Sequence, residues 1–153
     1  MRKRTRVTAA VAAALIVTGS LAYGALAARS GGTVTVVATH LNNPRGVWAA
    51  SDGSIYVAEA GKAGSVKVNK DTFLGFTSAV AKWNSSGLQR VVKHLGSVGG
   101  RDGTFTTGAD DVAVDRAGTI YVAMTGAPCD LKLPPSVKGQ VGQLLRVQGG
   151  GTE

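Results

Sequence analysis

The sequence predicts an all-β fold built from antiparallel, four-stranded repeat units, and three observations lead there. Gly46–Ala58 (GVWAASDGSIYVA) returns 65 residues later as Asp111–Ala123 (DVAVDRAGTIYVA), which is the mark of a repeat architecture. Each copy reads as a short apolar strand, a turn closed by Gly53 or Gly118, and a second strand built on Ile-Tyr-Val-Ala, the alternation expected of a β-hairpin. A strand ending in His-Leu also occurs twice, at His40-Leu41 and His94-Leu95. Together these describe blades of a β-propeller: about two four-stranded antiparallel blades of an incomplete ring of about six.

The elements follow in order. Thr33–Thr39 (TVTVVAT) alternates β-branched residues and reads as a strand, set to be an outer fourth strand, and the loop Asn42-Asn43-Pro44-Arg45 leads into the first hairpin. A long polar loop follows, then a third strand Ala79–Trp83, the turn Asn84-Ser85-Ser86-Gly87 and a fourth strand from Leu88. Gly96–Gly108 reads as a flexible connection, because its glycines lack the Lys-Ser/Thr of a phosphate loop and lead into no helical pattern. After the second hairpin, Gln143–Val147 is the counterpart of Ala79–Trp83, followed by the turn residues Gln148–Gly151. The first unit covers about residues 42–95 and the second about 108–153, incomplete, within a partial propeller over 33–153.

Residues 1–27 read as a signal peptide, a helix-forming export leader. Arg2, Lys3, Arg4 and Arg6 precede an apolar run from Val7 that ends in Ala25-Leu26-Ala27, a small-residue cleavage pattern, and 28–32 form a linker. The predicted location is secreted, with membrane attachment only if the leader stays uncleaved. Four of the 17 basic residues lie in that leader, which leaves 13 against 9 acidic in the remainder. Lys62, Lys67, Lys70 and Lys82 are scattered with no interleaved aromatics, so nucleic acid is excluded as a partner. Cys129 stands alone, so no intramolecular disulfide forms, and beside Pro128 it reads as an incidental thiol.

In a propeller the loops before each innermost strand face the central channel, which would collect Pro44, Arg45, Asp110 and Asp111. Arg45 and Asp110 occupy equivalent repeat positions. As ligand contacts, Arg45 suits a carboxylate or phosphate and the Asp pair suits a hard cation; as structure, Asp111 caps a turn or pairs with Arg45 between blades. Glu59 is either a channel acid or a solvated strand end. His40 and His94, at matching strand ends, point to a shared structural role. No Gly-x-Ser-x-Gly, His-Glu-x-x-His or EF-hand pattern is present, and no cofactor is evident, although calcium suits a complete propeller.

The runs Leu41-Asn42-Asn43-Pro44-Arg45-Gly46-Val47 and Tyr56-Val57-Ala58-Glu59-Ala60-Gly61, with Gly108–Val112 and Gly142–Val147, resemble the ScyD/ScyE family. That resemblance implies an exported bacterial β-propeller, allied in shape to NHL and SMP-30-like proteins, of which this chain is the N-terminal third to half. It departs from the family in lacking cysteines between Lys62 and Phe76, and in carrying Ala109-Asp110-Asp111 where relatives have Pro-His-Asp. The resemblance implies a binding or scaffold protein for a small molecule or cell-surface ligand; the alternative is a fragment of a metal-dependent SMP-30-like lactonase or lyase. Self-association through open blade edges is a further expectation.

Overall fold

The 65-residue offset sets hydrogen bonds as well as sequence. The computed structural model describes residues 32–127 and 131–148. Strand β1 (Pro44–Ala49) pairs antiparallel with β2 (Ile55–Glu59), and β6 (Ala109–Val114) with β7 (Ile120–Met124). Pro44↔Glu59, Val47↔Val57 and Ala49↔Ile55 in the first hairpin become Ala109↔Met124, Val112↔Val122 and Val114↔Ile120 in the second. Both first strands carry an irregularity at the same place, and both turns close identically, Gly53 N donating to Ala50 O and Gly118 N to Asp115 O. Gly53 and Gly118 sit at φ 80° and 81°, a left-handed conformation that costs a side chain but not glycine.

The first sheet is an antiparallel meander, β1-β2-β4-β5, in which β4 spans Phe73–Asn84 and β5 spans Gly87–Gly99; the short β3 (Val66–Lys67) pairs with Leu74 and Phe73. Both long strands exceed the sequence reading. Gly96–Gly99, expected within a flexible connection, is buried strand: Ser97, Val98 and Gly99 pair with Gly75, Leu74 and Phe73. Glycine serves there for close approach, since a Cβ on Gly99 would lie 2.7 Å from Thr106 Cα. His94, inside β5 at φ 62°, belongs to a β-bulge that sets Lys93 and His94 opposite Ala79. His40 has nearly the same φ, 61°, so the two histidines share a left-handed backbone position, which histidine tolerates better than β-branched residues do.

Thr33–Thr39, expected as a strand, forms none, and Val34 is 94% exposed. Alternating β-branched residues suit a pleated surface, but a strand exists only through ladder bonds to a neighbour, and no described residue pairs with this one. The leader and Cys129 lie outside the described residues.

The second sheet, β6-β7-β8, adds β8 (Leu144–Val147) beside β7 with Ile120↔Val147 and Ala123↔Leu144, which matches Ile55↔Trp83 and Ala58↔Val80 in the first. One core joins the sheets. Tyr56, Ala58, Val80, Val92 and Leu95 meet Ala109, Val112, Ile120, Val122 and Met124. Strand alternation turns Val57, Glu59, Ala79 and Ala81 to the opposite face of the first sheet. A smaller cluster, Leu74, Val98 and Val137, seats the single-turn helix α1 (Pro135–Lys138) on the far end of β4 and β5.

The turns carry the clearest pH dependence. Asp52 Oδ1 accepts from Ser54 N at 2.9 Å, and Asp115 Oδ1 accepts from Ala117 N and Thr119 N, both at 2.9 Å. Those donors, the backbone N–H of Ser54 and of Thr119 foremost, hold each carboxyl below its ordinary value of 3.8. Between the depressed and ordinary values the unfolded chain binds more protons, so this stabilisation is present above the ordinary value and fades as pH falls through the depressed one. The paired variant Asp52→Asn, Asp115→Asn keeps the acceptor oxygens without the charge. Its urea midpoint should fall less than the parent's between about pH 5 and about pH 2.

Candidate functional site

The segments that carry the family resemblance are far apart in sequence and adjacent in the fold. Ala60 N donates to Asn43 O (3.0 Å), Gly61 N to Asn42 O (3.1 Å), and the Asn43 amide Nδ2 to Gly61 O (2.7 Å). The Asn-Asn-Pro-Arg loop therefore clasps the Glu-Ala-Gly end of β2. The second repeat copies the first of these bonds, Thr125 N donating to Gly108 O at 2.8 Å.

Three hydroxyls hold the same β2 end from beneath. Ser78 Oγ donates to Glu59 O and accepts from Ala109 N, both at 2.8 Å, so one buried side chain bonds to a strand of each sheet. Ser97 Oγ donates to Ala60 O (2.7 Å) and accepts from Ala63 N (2.9 Å), and Thr77 Oγ1 donates to Ala63 O (2.7 Å) and accepts from Lys62 N (2.8 Å). Each hydroxyl uses its one donor and an acceptor lone pair, which leaves no buried side-chain polar atom unpartnered among the described residues.

Glu59 is fully buried, which corrects its reading as a solvated strand end. Arg90 grips it with a fork, Nε to Oε2 and Nη2 to Oε1, each 2.8 Å, while Asn42 N donates to Oε1 at 2.6 Å. The Arg90 Nη2 also reaches His40 O at 3.0 Å, and the paired carboxylate raises the guanidinium's pKa. With both oxygens engaged, Glu59 is a structural anchor, not a free acid. The sequence hints at this burial through the apolar Met124 at the matching position of the second repeat; nothing in it names Arg90 as the partner.

Arg45, Asp110 and Asp111 are all exposed on the first strands of the two hairpins, at or beside the matching irregularities. Arg45 Nη2 donates to Thr106 O at 3.0 Å, and among the described residues it forms no ion pair with Asp111. Asp111 Oδ1 instead accepts from Val112 N at 2.8 Å, and its side chain lies where a Cβ on Gly46 would stand. The two first strands thus lie side by side, and Gly46 is what permits the approach. Asn43 Nδ2 donates to Gly103 O at 2.8 Å, so Asn43 and Arg45 together pin the segment 100–107. Among the described residues no three His, Cys, Asp or Glu side chains are grouped closely enough to hold a metal.

Arg90→Met should cost about 3 kcal/mol by chemical denaturation, since the buried carboxylate keeps only the Asn42 amide; solvent at the half-exposed Arg90 sets this at the low end for a broken buried pair. Adding Glu59→Gln should recover part of that loss, with a coupling of about 1–3 kcal/mol in the double-mutant cycle. Gly108→Ala should cost about 1–3 kcal/mol because its Cβ meets the Ala60 carbonyl and Ser78, whereas Gly126→Ala, with nothing within 4 Å, should be close to neutral.

Comparison with protein-family models, with curated proteins and with solved structures returns no match. The roles of the two motifs are therefore those that their contacts give them, a clasp and an anchor.

Proposed function

We propose that the chain is an exported propeller-type protein of the ScyD/ScyE kind that acts by binding, with Arg45, Asp110 and Asp111 on its recognition face and Glu59 as the anchor behind it. The supporting observation is the repeated hairpin: the same pairing, irregularity and turn recur at a fixed offset, and the two sheets bury a common core. In this reading each sheet is a blade, and the matching first strands, with their exposed charged residues, lie toward a common axis. Binding is favoured over catalysis because Glu59, the one fully buried carboxylate among the described residues, is committed to Arg90.

Calcium is the cation this reading admits at Asp110 and Asp111. Two carboxylates supply fewer than the about six to eight oxygens that calcium takes, so its remaining ligands would come from other blades. The partner is a small molecule or a cell-surface ligand, and the protein is secreted with its leader removed.

Open sheet faces make self-association part of the same reading. On the second sheet the face opposite the core carries Leu144, 71% exposed, beside Tyr121 and Ala123. Light scattering on residues 28–153, with a calorimetric scan of the same sample, should give a discrete oligomer with one sharp melting transition. A monomer that melts cooperatively would contradict the open-blade account, because its sheets would then need no neighbours. Intact mass of exported material should place the new N-terminus at Ala28.

A further inference from the structure

The segment after β5 folds back on the strand it leaves. Val98 N donates to Thr107 O (2.9 Å) and Thr107 N to Val98 O (2.7 Å), and a tight turn, Gly103 N to Gly100 O, closes the tip. Asn43 and Arg45 hold this small hairpin from outside, through Gly103 O and Thr106 O. It forms one wall of a cleft of about 850 Å³, within the size range of small-molecule sites. The cleft shares no lining residue with the face that holds Arg45, Asp110 and Asp111.

Phe105 stands at this wall in a state that folding alone does not favour. The residue is 93% exposed and its φ is 50°, the left-handed region that a bulky aromatic rarely enters. Glycine would relieve the backbone, and a polar residue would suit the solvent, yet the sequence places an aromatic there. Phe73 lines the cleft too, with the Arg101 guanidinium 5.6 Å from its ring centroid, and Leu131 adds apolar surface. Two cations line the cleft, Arg101 and Lys70, and neither is in an ion pair among the described residues. Two acids line it as well: Asp71, and Asp102, whose Oδ1 accepts from Thr104 N (2.9 Å) and Thr104 Oγ1 (2.6 Å) within its own turn, so what favours an anion is the place of Arg101 beside the ring and not the net charge of the cleft.

We propose that this cleft is a binding site for a planar aromatic molecule carrying one anionic group, stacked between Phe105 and the Phe73–Arg101 pair with its anion on Arg101. An aromatic ring supplies the contact area that an exposed Phe105 lacks, and a guanidinium already seated over a ring presents its donors at the ring's edge. The strain at Phe105 is then the cost of holding the ring at the mouth.

The test uses the full chain and two probes of equal shape, naphthalene-2-carboxylate and naphthalene-2-carboxamide, titrated by calorimetry. The carboxylate should bind at one saturable site and more tightly than the amide. Arg101→Gln should weaken the carboxylate about tenfold or more, the size of one charge-assisted hydrogen bond, and weaken the amide, which loses only stacking against the guanidinium, much less. Phe105→Gly should abolish both while its melting temperature holds or rises, since glycine adopts the same φ without strain. Equal affinity for the two probes, or no effect of Arg101→Gln, would overturn the anion assignment. No saturable binding, or a Phe105→Gly variant with a markedly lower melting temperature, would overturn the site itself, because Phe105 would then be structural.

Discussion

The carboxylate of Glu59 is the interaction on which the rest of this structure depends. It sits at the end of β2, fully buried, and its two oxygens take three donors, two from Arg90 on β5 and one from the Asn42 amide. A buried charge of this kind is costly unless every lone pair finds a partner, so its presence fixes the position of whatever supplies those partners. Here that means the edge strand β5 of the first sheet and the loop leading into the opposite edge strand, β1. Both edges of the β1-β2-β4-β5 meander are tied to the same point.

From that point the geometry propagates through hydrogen bonds that each have one donor and one acceptor to satisfy. Once β2 ends where Glu59 requires, Ala60–Ala63 lies where Ser78, Ser97 and Thr77 reach its backbone, and Ser78 in turn accepts from Ala109 of the second sheet. Gly108 fits beside Ala60 because it has no Cβ. The relative placement of the two sheets therefore rests on a buried hydroxyl and a glycine as well as on apolar packing. The hydrophobic core supplies most of the driving force, but it is non-directional; the serine and glycine choose the register.

Local pairing was legible in the sequence wherever a repeat could be compared with itself. The offset of 65 residues foretold the register of both hairpins, and Gln143–Val147 stands beside β7 as Ala79–Trp83 stands beside β2. Reading failed where structure depends on a partner that pattern does not name. Thr33–Thr39 has strand composition without a strand to pair with, whereas Gly96–Gly99 has loop composition and is strand because Phe73–Gly75 lies alongside. Glu59 was misjudged for the same reason: a charged residue at a strand end is ordinarily solvated, and only the fold brings Arg90, 31 positions away, onto its two oxygens. The all-β, antiparallel character follows from residues; the sharing of polar partners follows from topology.

The contacts of Asn43 and Arg45 add a last step, because one side-chain nitrogen of each residue in a conspicuous motif goes to holding another segment still. Both side chains donate to carbonyls in the 100–107 hairpin, at Gly103 and Thr106. The hairpin, with two glycines near its tip and a left-handed Phe105, is held from inside by the Val98–Thr107 pair and the Asp102 turn, and these two donors tie it from outside to the loop before β1. Strain persists only where surrounding structure over-determines a conformation. The clasp at β2 is thus also what lets an aromatic side chain be carried in an unfavourable backbone state at the edge of a cleft, and the anchoring of Glu59, the clasp and the hairpin form one continuous chain of support from the sheet to that edge.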